Sequence, residues 1–306
     1  MLLLKNSLIV LCLLSGTLLN AQNVITDSST TIIGYWDKGD VFNFNLSQKK
    51  ESLKNNKIVS TERSGSKVRL TVAEAGTDFY ILNWQYISIV PDETQAIDSF
   101  MLTLLKTTES IDFKYKTSEL GEFIELINWE EVRNAGLKIL DDLTEEEKKD
   151  KNFLSILAEI KKVFSTKESI EQLIARDVQL LHNVFGGEYI LNKKIIAPAE
   201  LPNFLGGNPF PAVLTLEMTK LNPVNKSCHI NFNQVLNEEK VTEELNAWAE
   251  KAGKPKDSKI PTIKISDDYN FEVDLKKGMI KKASSKRIVI IDDRSNIEEH
   301  ELTLID

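Results

Sequence analysis

The sequence contains few of the residues on which metal and redox chemistry depend. Its 306 residues include two cysteines, Cys12 and Cys228, and three histidines. No HExxH, CxxC or EF-hand motif is present, and the histidines do not stand at the spacing of metal ligands. We therefore expect no metal and no cofactor, and a fold that depends on its hydrophobic core.

Motifs of nucleophilic and nucleotide-dependent enzymes are also missing. There is no GxSxG, GxGxxG or GxxxxGK[ST] sequence. Cys228 and His229 are adjacent, but neighbours in an alternating strand point to opposite faces, which argues against a nucleophile–base pair. We expect no catalytic residues. The alternative is a hydrolase whose carboxylates come from separate acidic pairs, such as Asp267-Asp268.

A long hydrophobic run occurs near the N-terminus and nowhere else. Lys5 precedes an apolar stretch from Leu8 to Leu19, and Ala21 completes a small-residue cleavage site. The run is shorter than the roughly 20 residues that a membrane-spanning helix needs. We therefore predict a signal peptide at residues 1–21, and an exported, soluble protein in the periplasm or outside the cell. Removal of the peptide would leave one cysteine, without an internal disulfide partner.

Acidic residues outnumber basic ones. The chain has 46 Asp and Glu against 38 Lys and Arg, a net charge of −8. Such a chain is a poor candidate for binding nucleic acid or an anionic membrane surface, because both attract positive charge. We expect neither as a partner. The chain after the signal peptide is long enough for a large core, and we predict a single domain at residues 22–306.

The stretch 111–140 indicates how sheet and helix are combined. Apolar and polar residues alternate at its start, as in a half-buried strand, and a turn and a second strand follow. Asn128 then begins a capping box, and apolar residues continue at helical spacing. Further helices are predicted from Thr144 and Ser165. We therefore predict a helical segment at about 128–187, between two sheet-forming parts of the chain.

The rest of the pattern is mainly that of strands. Alternating segments are joined by turn residues, such as those at Lys54–Lys57, and four prolines with a Gly-Gly pair predict a loop from Pro198 to Pro211. The strands are mostly apolar on one face and the helices carry one apolar stripe. We predict an α+β fold, in which a curved antiparallel sheet carries several helices on its apolar, concave face.

One strand, from Phe79 to Val90, is apolar on both faces and therefore needs two covers. The helices account for one of them. The other face, here called the Trp84 face, carries Tyr80, Leu82, Trp84 and Tyr86. We expect a second layer of protein to cover it, since aromatic stripes usually belong to a core. The alternative is that these four residues form a candidate site for an apolar ligand or a partner segment.

Several phrases of the sequence, namely YILNWQY, YKTSELGEFIELINWEEV and YNFEVDLKKGMI, resemble secreted proteins of Bacteroidota-type bacteria that are known as domains of unknown function. The signal peptide ending in NAQ and the Lys/Asn-rich acidic composition add to this resemblance. A one-sided antiparallel sheet with helices in its concavity is also similar to the periplasmic lipoprotein-carrier half-barrel, although this chain has more helices. These resemblances imply export, and they bring no catalytic motif to this chain.

Three classes of function remain open. The first is an exported cell-envelope protein that binds an apolar ligand or an envelope partner without catalysis. The second is a structural or assembly protein without a small-molecule ligand, and the third is the hydrolase with dispersed carboxylates. An apolar cavity would favour the first class, a large exposed apolar patch the second, and close carboxylates with perturbed pKa values in a cleft the third.

Overall fold

One large antiparallel sheet dominates the fold. The computed structural model describes residues 25–92, 99–141, 161–162, 164–201, 209–251 and 262–305. Strand makes up 60% of the structure and helix 17%, and the sheet is curved and does not close on itself. The prediction of an α+β fold with a curved antiparallel sheet is confirmed to this extent.

The sheet has eleven strands, arranged as two meanders. The first contains β2 (Val41–Lys54), β3 (Lys57–Ala75), β4 (Phe79–Val90), β5 (Asp112–Ser118) and β6 (Phe123–Leu126). The second contains β8 (Lys194–Leu201), β9 (Phe210–Asn222), β10 (Ser227–Leu236), β11 (Ile263–Asp274), β12 (Met279–Ile291) and β13 (Arg294–Ile305). β2 pairs with β13, so β6 and β8 form the two edges. The short strands β1 (Ser29–Thr31) and β7 (Glu188–Ile190) pair with each other in a separate sheet.

The turn between β2 and β3 shows how local sequence fixes the register. Asn55 and Asn56 have φ angles of 50° and 61°, which matches a two-residue hairpin turn. Asparagine tolerates this left-handed region better than most residues. The predicted hairpin at Lys54–Lys57 is confirmed.

Helices connect the strands of the sheet. Those with described bounds are α1 (Ser99–Ser110), α2 (Trp129–Asp141), α3 (Lys167–His182) and α4 (Glu238–Lys251). The N-cap of α3 is Thr166, one residue later than the predicted Ser165, because the hydroxyl of Thr166 accepts a hydrogen bond from the N–H of Ser169. The predicted signal peptide and the helix predicted from Thr144 lie outside the described residues.

Asn128 precedes α2 as predicted, but its side chain bonds mainly to the sheet. Its Oδ1 accepts a hydrogen bond from the N–H of Lys114, and its Nδ2 donates to the carbonyl of Asp112 and to Glu131. The amide therefore joins the start of α2 to β5. Because Glu131 lies three residues later, the capping-box spacing is present but serves a contact between helix and sheet.

The route of the chain explains why helices must cross the sheet. The first meander ends at one edge, β6, and the second begins at the other edge, β8. Helices α2 and α3 lie between them in sequence, and α3 contacts β6 and also β12 and β13 in the middle of the sheet. The face that α3 contacts carries the buried side chains and is called the apolar face below.

Two hydrophobic cores lie on the apolar face. The first core includes Phe44, Leu70, Trp84, Tyr115, Ile230, Phe271 and Leu302 of the sheet together with Val178 and Leu181 of α3. The second core is smaller and is formed by Leu201, Phe210, Ala212, Leu236, Ile263 and Ile265, with Val241 of α4 against them. Helix α3 therefore packs on the first core and α4 on the second, both on the same face of the sheet.

The predicted loop from Pro198 to Pro211 is partly wrong. Strand β8 continues through Pro198 to Leu201, and β9 begins at Phe210. Proline is tolerated in β8 because this is an edge strand, where a missing N–H can face away from the ladder. The residues of the loop at 202–208 lie outside the described part of the chain.

Candidate functional site

The Trp84 face lies in the first core. Leu82 and Trp84 are 0% exposed, whereas Tyr80 and Tyr86 are half-buried. The four residues therefore share one face of β4, as predicted. Within the described residues, the indole N–H of Trp84 is buried without a hydrogen-bond partner.

Protein groups from two other segments pack on this face. The ring of Trp36 lies 5.0 Å from that of Tyr80, centroid to centroid, and the hydroxyl of Tyr80 donates a hydrogen bond to the carbonyl of Gly34 at 3.2 Å. At the other end, the hydroxyl of Tyr86 donates to Oδ2 of Asp177 in α3 at 2.7 Å. Ligand binding by the Trp84 face stays a prediction, and a ligand there would have to displace these groups.

A buried polar chain links α3 to β5. Nδ1 of His182 lies 2.7 Å from the carbonyl of Gly121, and Nε2 lies 2.8 Å from the hydroxyl of Tyr115. Burial lowers the pKa of His182 to about 4 and raises that of Tyr115 well above its usual value. The imidazole is therefore neutral at physiological pH and serves as a structural link.

A second polar contact joins α3 to β13. Nδ1 of His300 lies 4.0 Å from Oδ1 of Asp177, and both side chains are almost completely buried. The same carboxylate accepts the hydrogen bond of Tyr86. Sequence spacing gave no sign of this cluster, because its residues are separated by up to about 200 positions and meet only when α3 crosses the sheet.

Cys228 lies on the apolar face of β10 and is 0% exposed, as its phase in the strand predicts. Burial raises the pKa of its thiol to about 12, so little thiolate forms at neutral pH. The adjacent His229 is half-buried on the opposite face. The described part of the chain contains no group of three His, Cys, Asp or Glu side chains that could hold a metal ion.

A row of apolar side chains lies between the two cores. Pairing of β8 with β9, β9 with β10, and β10 with β11 places one residue of each strand side by side on the apolar face. We call this the inter-core row. All its members are half-buried, and the rings of its two aromatic residues meet edge to face, 5.0 Å apart. The row consists of Ile195, Leu216, Phe232 and Tyr269.

Charged residues lie beside the inter-core row on the same face. Register across β11, β12, β13 and β2 aligns Asp267, Arg287, Glu298 and Lys50, whose charges alternate in sign. Nε of Arg287 lies 3.3 Å from Asp267, and Nζ of Lys50 lies 3.7 Å from Glu298. Burial raises the pKa of Asp267, and the neighbouring guanidinium opposes this shift. Charged side chains therefore lie along one side of the inter-core row.

A shallow groove of about 400 Å³ opens elsewhere, near the start of β2. Tyr35, Phe42 and Leu304 contribute apolar surface to its lining, and Asp40 and Lys277 contribute charged groups. The mixed lining suits a small polar molecule better than an apolar one.

Phe232 and Tyr269 were not singled out from the sequence. The alternation of β10 and β11 is visible in the sequence, but the position of these rings at the margin of the first core depends on pairing across the whole sheet.

No helix among the described residues is long and apolar enough to cross a membrane.

Comparison with known proteins yields little. No family model matches the chain, and no curated protein matches it. One solved structure with similarity is described as showing lipid–protein interactions in lipovitellin, with 12% identity and a TM-score of 0.44. The match covers 89% of this chain and 26% of the lipovitellin chain, so this chain spans about a quarter of that length. A likeness at this level carries no argument about function.

Proposed function

We propose that this protein binds an apolar or amphipathic ligand at the inter-core row, without catalysing a reaction. The observation that carries the proposal is the position of Phe232 and Tyr269. Both rings are half-buried on the apolar face, where they pack at the margin of the first core on the side toward the second core.

A ligand is expected to bind at the inter-core row because the two rings are incompletely buried. Removing apolar surface from water is worth about 25 cal/mol per Å², so a ligand that covers the remaining surface of Phe232 and Tyr269 gains affinity. Ligand sites are commonly apolar with a few polar groups that set orientation. Arg287 and Asp267 lie in the neighbouring row and are suited to meet a polar end of the ligand. This combination fits an acyl chain with a polar head better than a pure hydrocarbon.

The setting of the proposed activity is the cell envelope. The predicted signal peptide at residues 1–21 supports export. We also propose that α2 and α3 occupy the concave side of the curved sheet, which is supported by the contacts of α3 with β6, β12 and β13. The ligand would then lie beside α3, on the same side of the sheet.

Titration with a fluorescent fatty acid such as cis-parinaric acid tests the proposal. Wild-type protein should enhance the fluorescence of the probe with saturation, and Phe232→Ala should weaken binding roughly tenfold, as expected for the loss of one buried ring. Val235→Ala is the matched control, because Val235 lies three residues later on the opposite face and is 41% exposed. Absence of saturable binding, or equal loss in both variants, would contradict the proposal.

A further inference from the structure

Strand β8 lies at one edge of the eleven-stranded sheet. It pairs with β9 along its whole length, and no other described strand pairs with it. The side chains at alternate positions are exposed, and Ile196 is 68% exposed. An exposed edge is a template for pairing with another chain unless something blocks it. The exposed residues are Lys194, Ile196, Pro198 and Glu200.

Two hydrogen bonds reveal which backbone groups of β8 face outward. The carbonyl of Pro211 in β9 accepts from the N–H of Asn237, after β10, so it points away from β8. The carbonyl of Met218 accepts from Asn192, just before β8, and so points toward it. Because these directions alternate along a strand, the residue paired with Pro211, Glu200, has its own N–H and C=O directed away from β9.

The same alternation applies to the rest of the strand. Lys194, Ile196 and Pro198 share the direction of Glu200, so their backbone groups face outward as well. Pro198 has no N–H. Because its backbone groups face outward, the missing N–H removes no hydrogen bond between β8 and β9. The free edge therefore offers the N–H groups of Lys194, Ile196 and Glu200 and the carbonyls of all four residues.

We propose that two copies of this chain pair antiparallel through β8, about a two-fold axis at Ala197. In this register Lys194 of each copy lies opposite Glu200 of the other, and Ile196 lies opposite Pro198. The strand is self-complementary in charge about its centre, with its single cation and single anion three residues on either side of Ala197. The pairing would extend the eleven-stranded sheet across both copies.

This register also allows the outward backbone groups of the two copies to form hydrogen bonds. Each copy donates from Lys194, Ile196 and Glu200 to the outward carbonyls of the partner, and the absent donor at Pro198 is the single loss per copy. Shifting the register by two residues in either direction separates the opposite charges. Moving it so that Pro198 lies opposite itself would remove both hydrogen bonds of the central pair.

The side chains add an apolar contact. Residues opposite each other in an antiparallel pair lie on the same face, so Ile196 would pack against Pro198 of the other copy. Val213 neighbours Pro198 on that face and is 39% exposed. A contact between two strands of eight residues buries less surface than a standard interface, so the dimer should be reversible and concentration-dependent.

Sedimentation equilibrium of the purified protein over a series of concentrations tests this inference. Wild-type protein should show a monomer–dimer equilibrium. Ile196→Lys should raise the dissociation constant at least about tenfold, by adding a charge at the centre of the interface. Val224→Lys is the matched control, because Val224 is 90% exposed in the β9–β10 turn. It should dimerise like the wild type.

A charge swap tests the register itself. Glu200→Lys places two Lys–Lys contacts in the dimer and should weaken it roughly tenfold. The double variant Lys194→Glu with Glu200→Lys should restore association toward the wild-type value. A wild-type protein that stays monomeric at every concentration overturns the inference, and so does an Ile196→Lys variant that dimerises as tightly as Val224→Lys. Failure of fatty-acid binding would leave this result unaffected, since Ile196 and Glu200 lie on the face of β8 opposite to the inter-core row.

Discussion

The hydroxyl of Tyr115 lies 2.8 Å from Nε2 of His182, and this contact fixes the protonation of the ring. Nδ1 of the same ring faces the carbonyl of Gly121 at 2.7 Å, and a carbonyl can only accept. Nδ1 therefore carries the proton, and Nε2 accepts from the tyrosine. A doubly protonated His182 could not accept the hydrogen bond from Tyr115. The hydroxyl would have to rotate so that its oxygen accepts from Nε2.

Stability should fall as the pH is lowered from about 6.5 to about 4. The pKa of His182 is about 4 in the folded protein and its ordinary value is 6.5. Between these values the unfolded chain binds a proton that the folded chain does not, so the free energy of unfolding decreases with falling pH. The full effect of this group is roughly 3 kcal/mol. Chemical denaturation at a series of pH values measures it.

His182→Gln provides the control for this pH dependence. Glutamine keeps a donor and an acceptor but does not titrate, so the variant should be less stable than the wild type at pH 7. The difference between the two proteins should shrink as the pH approaches 4. A constant difference across this range would mean that His182 takes up its proton equally in both states.

Replacing Gly278 by alanine should destabilise the protein much more than replacing Gly39. Both glycines have positive φ, 57° and 95°, a region that costs an alanine about 1–2 kcal/mol. A Cβ at Gly278 would lie 2.5 Å from the carbonyl oxygen of Ile33, whereas no described atom lies within 4 Å of a Cβ at Gly39. The crowded site should cost roughly a further 1–3 kcal/mol.

Trp36 gives this pair of variants a second readout. Its indole N–H donates to the carbonyl of Gly278 at 2.9 Å. Displacement of the backbone at residue 278 should therefore change the near-ultraviolet circular dichroism of Gly278→Ala but not of Gly39→Ala. Equal melting temperatures for the two variants would contradict this prediction, because they would mean that the backbone near Ile33 moves aside without loss of stability.

The thiol of Cys228 should resist labelling in the native protein. It is fully buried and its pKa is raised to about 12, so both access and thiolate are lacking. Maleimide should react with it within minutes in denaturant and far more slowly without it. Cys228→Ser identifies the signal by mass spectrometry. Rapid labelling of the native wild type at position 228 would contradict the burial.

Local sequence predicted the elements better than their contacts. The hairpin at Asn55-Asn56 follows from turn chemistry within two residues, and α2 begins directly after Asn128, where the residue types of a capping box predicted its start. The segment predicted as a loop from Pro198 begins instead within β8, which continues to Leu201. Proline usually ends a strand but is tolerated at an edge, and the position of β8 at an edge depends on the whole sheet. An edge is a property of topology, so residues near in sequence do not encode it.

For the candidate site too, local sequence predicted the strand and its faces but not the contacts made there. Alternation placed Tyr80, Leu82, Trp84 and Tyr86 on one face of a strand, and the structure has them so. Which protein groups pack on that face could not be predicted, since Asp177 comes from about 90 residues later and reaches Tyr86 only through the crossing of α3. Long-range packing also places the inter-core row at the margin of the first core.

Trp84→Ala and Phe232→Ala together should locate the ligand. Trp84 is 0% exposed in the first core, so its truncation should cost roughly 3–5 kcal/mol of stability without ligand. Phe232 is half-buried and should cost less, about 1–2 kcal/mol, because part of its ring already faces water. Urea denaturation of both variants measures this difference.

Fatty-acid titration of the same two variants then separates two places for the ligand. If the inter-core row binds it, Phe232→Ala weakens binding while Trp84→Ala, where it remains folded, leaves the affinity nearly unchanged. If the Trp84 face binds it, the order is reversed, and the stability cost at Trp84 falls well below the range for a filled core, because the ring would border a space that the ligand occupies. A full core cost at Trp84 with unchanged affinity would mean that Trp36, Asp177 and the rest of the protein cover that face permanently.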